Sequence, residues 1–361
     1  MIVKKLELLN YRNYEYLNID FDSGINILYG DNAQGKTNIL EALYMSGTSK
    51  SHKNAKDKET IKFGEEEAHI KTIVLKNDIE YKIDIHLKSH KNKGIAINGV
   101  PIKKATELFG VLNIIFFSPE DLNIIKEGPS ERRRFIDMEL CQLDKVYLHN
   151  LTNYNKILNQ RNKLLKDMLD KPSLRDTLDS WDEQLLKYGK EIIERRKKFI
   201  DDLNEVIFLI HKKLSGNKEE LTITYEPDVT LSNYENALKE ARKKDERFLT
   251  TSVGPHRDDM AFLIKNVDLR KYGSQGQQRT AALSLKLSEI ELVKSIIKEE
   301  PILLLDDVLS ELDKGRQNQL LSSINKTQTI ITCTGLDEFI NERISLNKVF
   351  HVIDGKVYEG N

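Results

Sequence analysis

The stretch from Gly30 to Thr37 reads Gly-Asp-Asn-Ala-Gln-Gly-Lys-Thr, an uninterrupted G-x-x-x-x-G-K-[ST] pattern. An apolar run of strand length, Ile25–Tyr29, precedes it, and apolar residues at helical spacing follow from Asn38 to Tyr44. In this context the glycines let successive backbone N–H groups turn toward an anion, and the start of the helix adds unpaired donors. The pattern therefore predicts a site for nucleotide phosphates.

Within this loop each residue type has a separate predicted task. Lys36 supplies a positive charge to the β- and γ-phosphates, and the Thr37 hydroxyl is a predicted Mg²⁺ ligand. The backbone of the remaining positions surrounds the phosphates: Gly30, Asp31, Asn32, Ala33, Gln34 and Gly35.

Two adjacent carboxylates follow the apolar run from Ile302 to Leu305. In an open parallel sheet, ligands lie at the carboxyl ends of the strands, so both acids are expected near the phosphate loop. Asp306 is the predicted Mg²⁺ ligand, acting through water, and Asp307 is predicted to orient or deprotonate the attacking water. The alternative is an aspartate that caps the next helix, but an adjacent pair after a buried strand favours the catalytic hypothesis.

A third candidate segment runs from Tyr272 to Arg279, about thirty residues before the paired carboxylates. Ser274, Gly276 and the N–H groups that follow them could bind an anion at the start of a helix. One chain already has its own phosphate loop, so a second phosphate-binding helix predicts docking onto nucleotide held by another copy. A capped helix without a ligand is the alternative interpretation.

Short alternating runs predict β-structure before residue 122, with strands near 68–75, 79–87, 94–100 and 111–117. The polar segment from Lys50 to Lys62 is expected to be exposed or mobile. From about residue 130 the apolar spacing becomes helical, with one stripe from Tyr147 to Met168 and another from Leu174 to Ile210. An antiparallel helical hairpin would bury both stripes, although two core helices of an ordinary helical lobe would do so equally.

Composition excludes several classes of protein. The chain has 361 residues, of which 39% are hydrophobic and 31% charged, and a net charge of −1, so any nucleic-acid site must be a local patch. Cys141 and Cys333 are isolated, which excludes a disulfide framework and a cysteine zinc site. No apolar run approaches the roughly 18 residues of a membrane helix, so we expect a soluble cytoplasmic protein without a membrane partner.

Basic clusters are the local candidates for contact with nucleic-acid phosphates, at Lys103 and Lys104, at Arg132, Arg133 and Arg134, and at Arg195 to Lys198. Each cluster could equally be a solvated helix surface, and the arginine triplet could pair with acids of the fold. No aromatic-rich strand for base stacking is apparent, which favours sequence-independent contact with the backbone.

The order of these elements resembles the ATP-binding-cassette ATPases, and in detail the RecF family of bacterial recombination mediators. The segments that carry the resemblance span most of the chain: Leu8–Tyr14, Gly30–Glu41, Ser118–Leu122, Pro129–Asp137, Gly254–Asp259, Gly273–Arg279 and Ser310–Asp313, the last at the position of the D-loop.

This resemblance implies an α/β fold, namely an ATPase head of the SMC and Rad50 type with a mixed β-sheet and an inserted helical arm. Residues 1–122 and 248–361 would form the head, and residues 123–247 the arm. The implied activity is weak, DNA-stimulated ATP hydrolysis that acts as a switch, with ATP and Mg²⁺ as cofactors. It implies DNA binding, an ATP-dependent homodimer and work with RecO and RecR in loading recombinase at single-strand gaps, in replication restart and in the SOS response, hence a nucleoid-associated location.

At matched positions, the resemblance implies that Arg12, Ser274, Gly276 and Gln277 contact nucleotide, with Ser274 on the γ-phosphate of a second copy. Asp307 stands where transporter ATPases have a catalytic glutamate, and its shorter side chain implies slow turnover. Thr334 occupies the position of the switch histidine, and no glutamine is assigned to the Q-loop.

Two other functions are compatible with the same motifs. A transporter ATPase subunit is disfavoured because the interval between the phosphate loop and Ser274 is about twice the usual length and contains a basic helical arm. The other is a binding module that holds ATP and hydrolyses it only incidentally. Such a module would still load recombinase when it is locked in the ATP-bound state, whereas a switch would not.

Overall fold

The computed structural model describes residues 1–324, 327–336 and 347–360, and its contacts divide the chain into two compact units. The first unit comprises Met1–Asp121 and Glu289–Asn361, and the second comprises Leu122–Ser288. The division predicted from the sequence instead assigns residues 248–288 to the head. The difference arises because this segment carries two strands of a small sheet whose third strand lies at Leu221–Glu226.

The strands of the described residues are β1 (Ile2–Tyr11), β2 (Tyr14–Asp20), β3 (Ile25–Tyr29), β4 (Glu67–Lys76), β5 (Ile79–Lys88), β6 (Gly94–Ile97), β7 (Val100–Pro101), β8 (Ile114–Phe117), β9 (Leu221–Glu226), β10 (Asp259–Ile264), β11 (Val267–Asp268), β12 (Ile302–Asp306), β13 (Thr329–Cys333), β14 (Lys348–Ile353) and β15 (Lys356–Gly360). The α-helices are α1 (Lys36–Thr48), α2 (Leu122–Lys126), α3 (Pro129–Leu143), α4 (Lys145–Asp167), α5 (Leu178–Leu214), α6 (Tyr234–Phe248), α7 (Leu269–Tyr272), α8 (Gln275–Ile297) and α9 (Lys314–Ser323).

A mixed six-stranded sheet in the first unit has the order β15-β14-β3-β13-β12-β8. All neighbours in it are parallel except β14 and β15. Its central strands β3, β13 and β12 are buried along almost their whole length, as expected for a parallel sheet covered on both faces. Because β3, β13 and β12 are adjacent, the segments that follow them meet at one edge of the sheet.

A second six-stranded sheet of the first unit is antiparallel, in the order β2-β1-β4-β5-β6-β7. In β4 buried residues alternate with exposed ones, so one face of this sheet packs on the core and the other meets solvent. The predicted α/β fold with mixed sheets is confirmed.

The second unit contains the three-stranded sheet β11-β10-β9 and the helices α4 and α5, which pack against each other. Arg161, late in α4, bonds Asp182, early in α5. Tyr147, early in α4, accepts a bond from Arg196, in the middle of α5. These contacts show that the two helices run antiparallel, and the 37 residues of α5 give it a length of about 55 Å at 1.5 Å per residue.

Candidate functional site

The loop between β3 and α1 has the backbone of an anion cradle. Gly30, Ala33 and Gly35 have φ values of 149°, 65° and 111°, the kind of positive backbone angle that turns successive N–H groups toward an anion. A Cβ at Gly30 would lie 2.3 Å from the carbonyl oxygen of Val352, so only glycine fits there. Gly35 is the N-cap of α1, and the first N–H groups of that helix extend the set of donors.

Two side chains near the β1–β2 turn form hydrogen bonds with the backbone of this loop. The Tyr14 hydroxyl donates to the carbonyl of Gly35 at 3.1 Å, and the Asn13 amide donates to that of Gln34 at 2.9 Å. Burial raises the pKa of Tyr14, so its hydroxyl stays protonated and remains a donor. The loop is thereby held in shape by contacts that the glycine pattern did not reveal.

Lys36 lies over the loop and is almost fully buried. Its ammonium donates to the carbonyls of Gly30 and Asp31, both at 2.6 Å. Burial lowers the pKa of Lys36, and the negative charges of Asp307 and other nearby groups partly oppose that shift. A phosphate anion beside this ammonium would compensate the charge that burial destabilises.

Thr37 and Asp306 meet at the start of α1, as the sequence predicts. The Thr37 hydroxyl donates to Asp306 Oδ1 at 2.8 Å, and the Thr332 hydroxyl donates to the same oxygen at 2.8 Å. Octahedral Mg²⁺ binds oxygen at about 2.1 Å, which places adjacent ligand oxygens about 3.0 Å apart. The Thr37 and Asp306 oxygens are therefore already at the spacing that one Mg²⁺ ion requires, and their donor types suit it.

Asp307 has a left-handed backbone, with φ of 52°. Such a conformation is uncommon for a residue with a side chain, and it is concentrated at functional sites. The Asp307 N–H donates to the Thr332 hydroxyl at 3.0 Å, and the Ser310 hydroxyl donates to the Asp307 carbonyl at 2.9 Å. These bonds fix the direction in which the chain leaves β12. Of the predicted D-loop, the Glu311 side chain lies outside the described residues.

Arg12, predicted to contact nucleotide, is bound in this structure to a helix rather than to the loop. Its guanidinium forms a two-pronged ion pair with Glu41 of α1, both bonds at 2.7 Å, and donates to the carbonyl of Glu59 at 2.7 Å. Glu41 is fully buried and also accepts from the Ser51 hydroxyl. The segment after Lys50, expected to be exposed or mobile, instead contributes buried contacts at Ser51.

The predicted anion-binding segment at Ser274 lies in the second unit, at the N-terminus of α8. The Ser274 hydroxyl accepts from the Gln277 N–H at 3.2 Å, and Gln277 Oε1 accepts from the Ser274 N–H at 2.9 Å. This reciprocal pair is a capping box. Ser274 and Gly276 are exposed, so both are accessible to another molecule, as the hypothesis of a second copy requires. The Gln277 amide also donates to Glu219 Oε1 at 2.8 Å, a contact that the sequence did not indicate.

The arginine triplet divides into residues with different environments. Arg132 is buried, with two bonds to Asp259 at 2.6 and 2.9 Å and one to the Glu127 carbonyl at 2.7 Å. The prediction that Arg132 contacts DNA is therefore wrong for this structure, since its guanidinium is used inside the second unit. Arg133 donates to the carbonyl of Asp258, and Arg134 pairs with Glu131 at 3.7 Å.

The other basic clusters also separate by exposure. Lys103 and Lys104, after β7, are both exposed. In the cluster on α5, Lys197 and Lys198 are exposed, whereas Arg196 is buried between the carboxylates of Asp137 and Asp258. Exposure therefore keeps Lys103 and Lys104 as candidates for phosphate contact and removes Arg196 from that group.

Thr332, which contacts both Asp306 and Asp307, is a candidate site residue that the sequence analysis missed. It occurs within a run that predicts only a buried strand, and its importance comes from register, because it pairs with Asp306 in β12 and with Leu28 in β3. The available signal was a threonine on β13, the strand between the phosphate loop after β3 and the paired carboxylates after β12. Within the described residues, no helix combines the length and apolar character needed to cross a membrane.

Comparisons with known proteins identify the family of this chain. Residues 2–357 match the family model described as RecF/RecN/SMC N terminal domain. The chain is 64% identical over 357 residues to the DNA replication and repair protein RecF of Agathobacter rectalis, with 99% of both chains covered. It is 62% identical over 363 residues to the protein of that name from Lachnospira eligens, with both chains fully covered.

Solved structures agree with the sequence comparison. A recombination mediator protein described as RecF-ATP in the RecFOR pathway has a TM-score of 0.94 and 37% identity, with 99% of this chain and 97% of that chain covered. An SMC head domain from Pyrococcus furiosus has a TM-score of 0.58 and 17% identity, and it shares the fold over 99% of this chain and 96% of its own. The chain belongs to the RecF family of SMC- and Rad50-like, ATP-binding-cassette-type ATPases.

Proposed function

We propose that this protein is a DNA-binding ATPase of recombinational DNA repair and replication restart, which dimerises when it binds ATP and separates after hydrolysis. Working with RecO- and RecR-like mediators, it would help to load recombinase at single-strand gaps, including during the SOS response. Relatives named as DNA replication and repair proteins support the cellular role, and a relative described as RecF-ATP supports the nucleotide. The corresponding location is the cytoplasm, in association with the nucleoid.

The loop and α1 would bind the triphosphate. Backbone N–H groups from Gly30 to Gly35 surround the phosphates, and the Lys36 ammonium exchanges its bonds with loop carbonyls for phosphate oxygens. Thr37 and Asp306 would hold Mg²⁺, Asp306 directly or through water. When bound, this ion neutralises charge on the β- and γ-phosphates. Arg12 would reach the nucleotide only after rearrangement of its pair with Glu41.

Asp307 would orient the attacking water and accept its proton. Its side chain is one methylene shorter than the glutamate of transporter ATPases and would lie further from the γ-phosphate, so we expect slow hydrolysis. The family resemblance suggests that DNA stimulates this reaction. The Ser274 hydroxyl and the Gly276 and Gln277 N–H groups of a second copy would complete the site around the γ-phosphate. Hydrolysis would then remove the group that joins the two copies.

We retain the head at residues 1–122 and 248–361 and the helical arm at 123–247 as the functional division of the chain. Phosphate contact by Lys103 and Lys104 would give DNA binding without sequence preference. Arg133 and Arg134 are secondary candidates, because both already have partners in the second unit.

The observation that carries this proposal is the 2.8 Å contact between the Thr37 hydroxyl and Asp306. The decisive experiment measures ATP binding and sedimentation with and without Mg²⁺ and DNA, at two salt concentrations. Lys36→Ala should abolish ATP binding, whereas the matched control Lys50→Ala, at an exposed position after α1, should leave it unchanged. Wild-type binding that persists in Lys36→Ala would contradict the proposed site.

A further inference from the structure

Two histidines and one glutamate lie together on the solvent face of the antiparallel sheet, on the strands β4 and β5. His69 is directly opposite His86 in the strand register, and Glu67 is opposite Lys88. Alternate residues of a strand share a face, so Glu67, His69 and His86 project from the same side of the sheet. The nucleotide site does not use any of these side chains.

The three side chains are close enough to share one ion. The imidazole rings are stacked with centroids 3.9 Å apart and planes at 22°. His86 Nε2 lies 2.6 Å from Glu67 Oε2, and one ligand atom from each of the three residues lies within 4.8 Å of the others. Tetrahedral Zn²⁺ with bonds of about 2.0 Å separates its ligand atoms by about 3.3 Å. Glu67 and His69 are exposed and His86 is half-buried, so these side chains have room to rotate toward that spacing.

The donor set selects the kind of ion. Two imidazoles and one carboxylate suit Zn²⁺ and its neighbours in the first transition series, whereas Mg²⁺ prefers oxygen ligands only. The neutral imidazole is the form of histidine that binds metal. Lys88 lies 3.3 Å from the other oxygen of Glu67 and so holds the carboxylate with Oε2 toward His86.

A purely structural role explains the cluster less well. Two histidines stacked across a sheet repel each other when both are protonated, and the single bond to Glu67 can satisfy only His86. A bound cation would use all three groups at once. His69 and His86 also line a cavity of about 500 Å³ on this face, so a fourth coordination position would open to water.

We propose that Glu67, His69 and His86 bind one divalent transition-metal ion of the Zn²⁺ class, which links β4 to β5. This site is separate from the predicted Mg²⁺ site at Asp306, and it does not depend on the proposed ATPase function. It would be a three-ligand site with water in the remaining position.

The test is a titration of the full, tag-free protein with Zn²⁺ by calorimetry and with Co²⁺ by visible absorption. Both titrations are run without nucleotide and with excess Mg²⁺, which is added to fill the proposed Mg²⁺ site at Asp306. The expected result is one ion per chain and a Co²⁺ spectrum typical of nitrogen and oxygen ligands, without sulfur charge-transfer bands from Cys141 or Cys333. His69→Ala and His86→Ala should each weaken binding about tenfold or more.

His90→Ala is the matched control, because His90 is an exposed histidine just after β5, the strand that carries His86. It should bind Zn²⁺ like the wild type. Circular dichroism and ATP binding of each variant establish that the fold is retained, and Zn²⁺ should raise the melting temperature of the wild type but not of His86→Ala. No binding by the wild type, or binding that survives the loss of either His69 or His86, would overturn the proposal.

Discussion

The Thr37 hydroxyl lies 2.8 Å from the carboxylate of Asp306, although the two residues are 269 positions apart in the chain. Their meeting results from strand order, because β3 and β12 are separated only by β13 in the parallel sheet. Thr332 of β13 lies between the two motifs and bonds both Asp306 and the N–H of Asp307. We infer that this one buried threonine sets the geometry of both the proposed metal ligand, Asp306, and the proposed catalytic base, Asp307.

Thr332→Val keeps the size of this side chain but removes both of its hydrogen bonds. We expect kcat for ATP hydrolysis to fall about 10- to 100-fold, because the Thr332 hydroxyl orients the carboxylate of Asp306, while ATP affinity changes little. Thr329→Val is the control, since Thr329 is buried at the opposite end of the same strand and bonds the Thr327 carbonyl. Steady-state hydrolysis and ATP titration separate the two effects. Equal kcat in both variants would contradict the role given to Thr332.

The pairing of Arg12 with Glu41 predicts a pH-dependent contribution to stability. Burial alone raises the pKa of Glu41, but the hydrogen bonds from Arg12 and Ser51 outweigh it and leave the pKa below its ordinary value of 4.5. The carboxylate therefore stabilises the fold fully above pH 4.5, and this stabilisation is lost as the pH falls through the lower folded value.

Glu41→Gln should accordingly lower the free energy of unfolding by about 3 kcal/mol at pH 7, because it breaks a buried ion pair. Urea denaturation at several pH values measures the difference from the wild type. That difference should shrink as the pH falls below 4.5. A difference that stayed constant down to pH 3 would show that Glu41 acts through packing rather than through charge.

The contact between Gln277 and Glu219 predicts that Glu219 positions the Ser274 segment. Glu219→Ala removes the bond to the Gln277 amide and leaves the side chain held only by the Ser274 N–H, so we expect ATP-dependent dimerisation to weaken while ATP binding by the monomer stays unchanged. Glu220→Ala is the control, because Glu220 is the exposed neighbour of Glu219 and pairs with Lys212 at 3.2 Å. Sedimentation at several protein concentrations, in the presence of ATP, gives the dissociation constant of the dimer.

Ser274→Ala distinguishes two possible failures of that experiment. If Ser274→Ala weakens the dimer and Glu219→Ala does not, the capping box holds its shape without Glu219. If neither variant has an effect, the proposed contact between Ser274 and the nucleotide of the second copy is wrong.

The basic clusters predict a division between stability and DNA binding. Lys103→Ala combined with Lys104→Ala should lower DNA affinity, and it should reduce the log–log slope of affinity against salt by about 1.8 for duplex DNA, if both lysines contact phosphates. Arg132→Ala should instead destabilise the fold by about 3 kcal/mol, since it leaves Asp259 without its buried partner. Fluorescence anisotropy at several salt concentrations and urea denaturation measure the two effects. An unchanged slope would exclude Lys103 and Lys104.

Local parts of the site were predictable because the sequence encodes them within a few residues. The strand Ile25–Tyr29 has the predicted bounds, and the loop and the start of α1 follow it directly. Asp306 was recognisable because an apolar strand ends in it. In each case, the residues next to the functional group in the sequence determine its backbone conformation and its position at the end of a strand.

Contacts between distant segments were not predictable in the same way. The roles of Thr332 and Glu41 depend on which strand or turn packs beside them, and apolar spacing does not encode that choice. Arg132 shows the same limit, because a run of three arginines does not reveal which one is buried against Asp259. The left-handed backbone of Asp307 also depends on tertiary contacts, here the bonds to Thr332 and Ser310.

The central claim is that ATP joins two copies of this chain, each completing the site of the other. Asp307→Asn should bind Mg-ATP but hydrolyse it very slowly, so that the dimer accumulates. The most direct measurement is sedimentation velocity of Asp307→Asn at saturating ATP, with and without Mg²⁺. The account predicts a dimer that forms only with Mg-ATP and that the added change Ser274→Ala abolishes. A monomer at saturating Mg-ATP would contradict it.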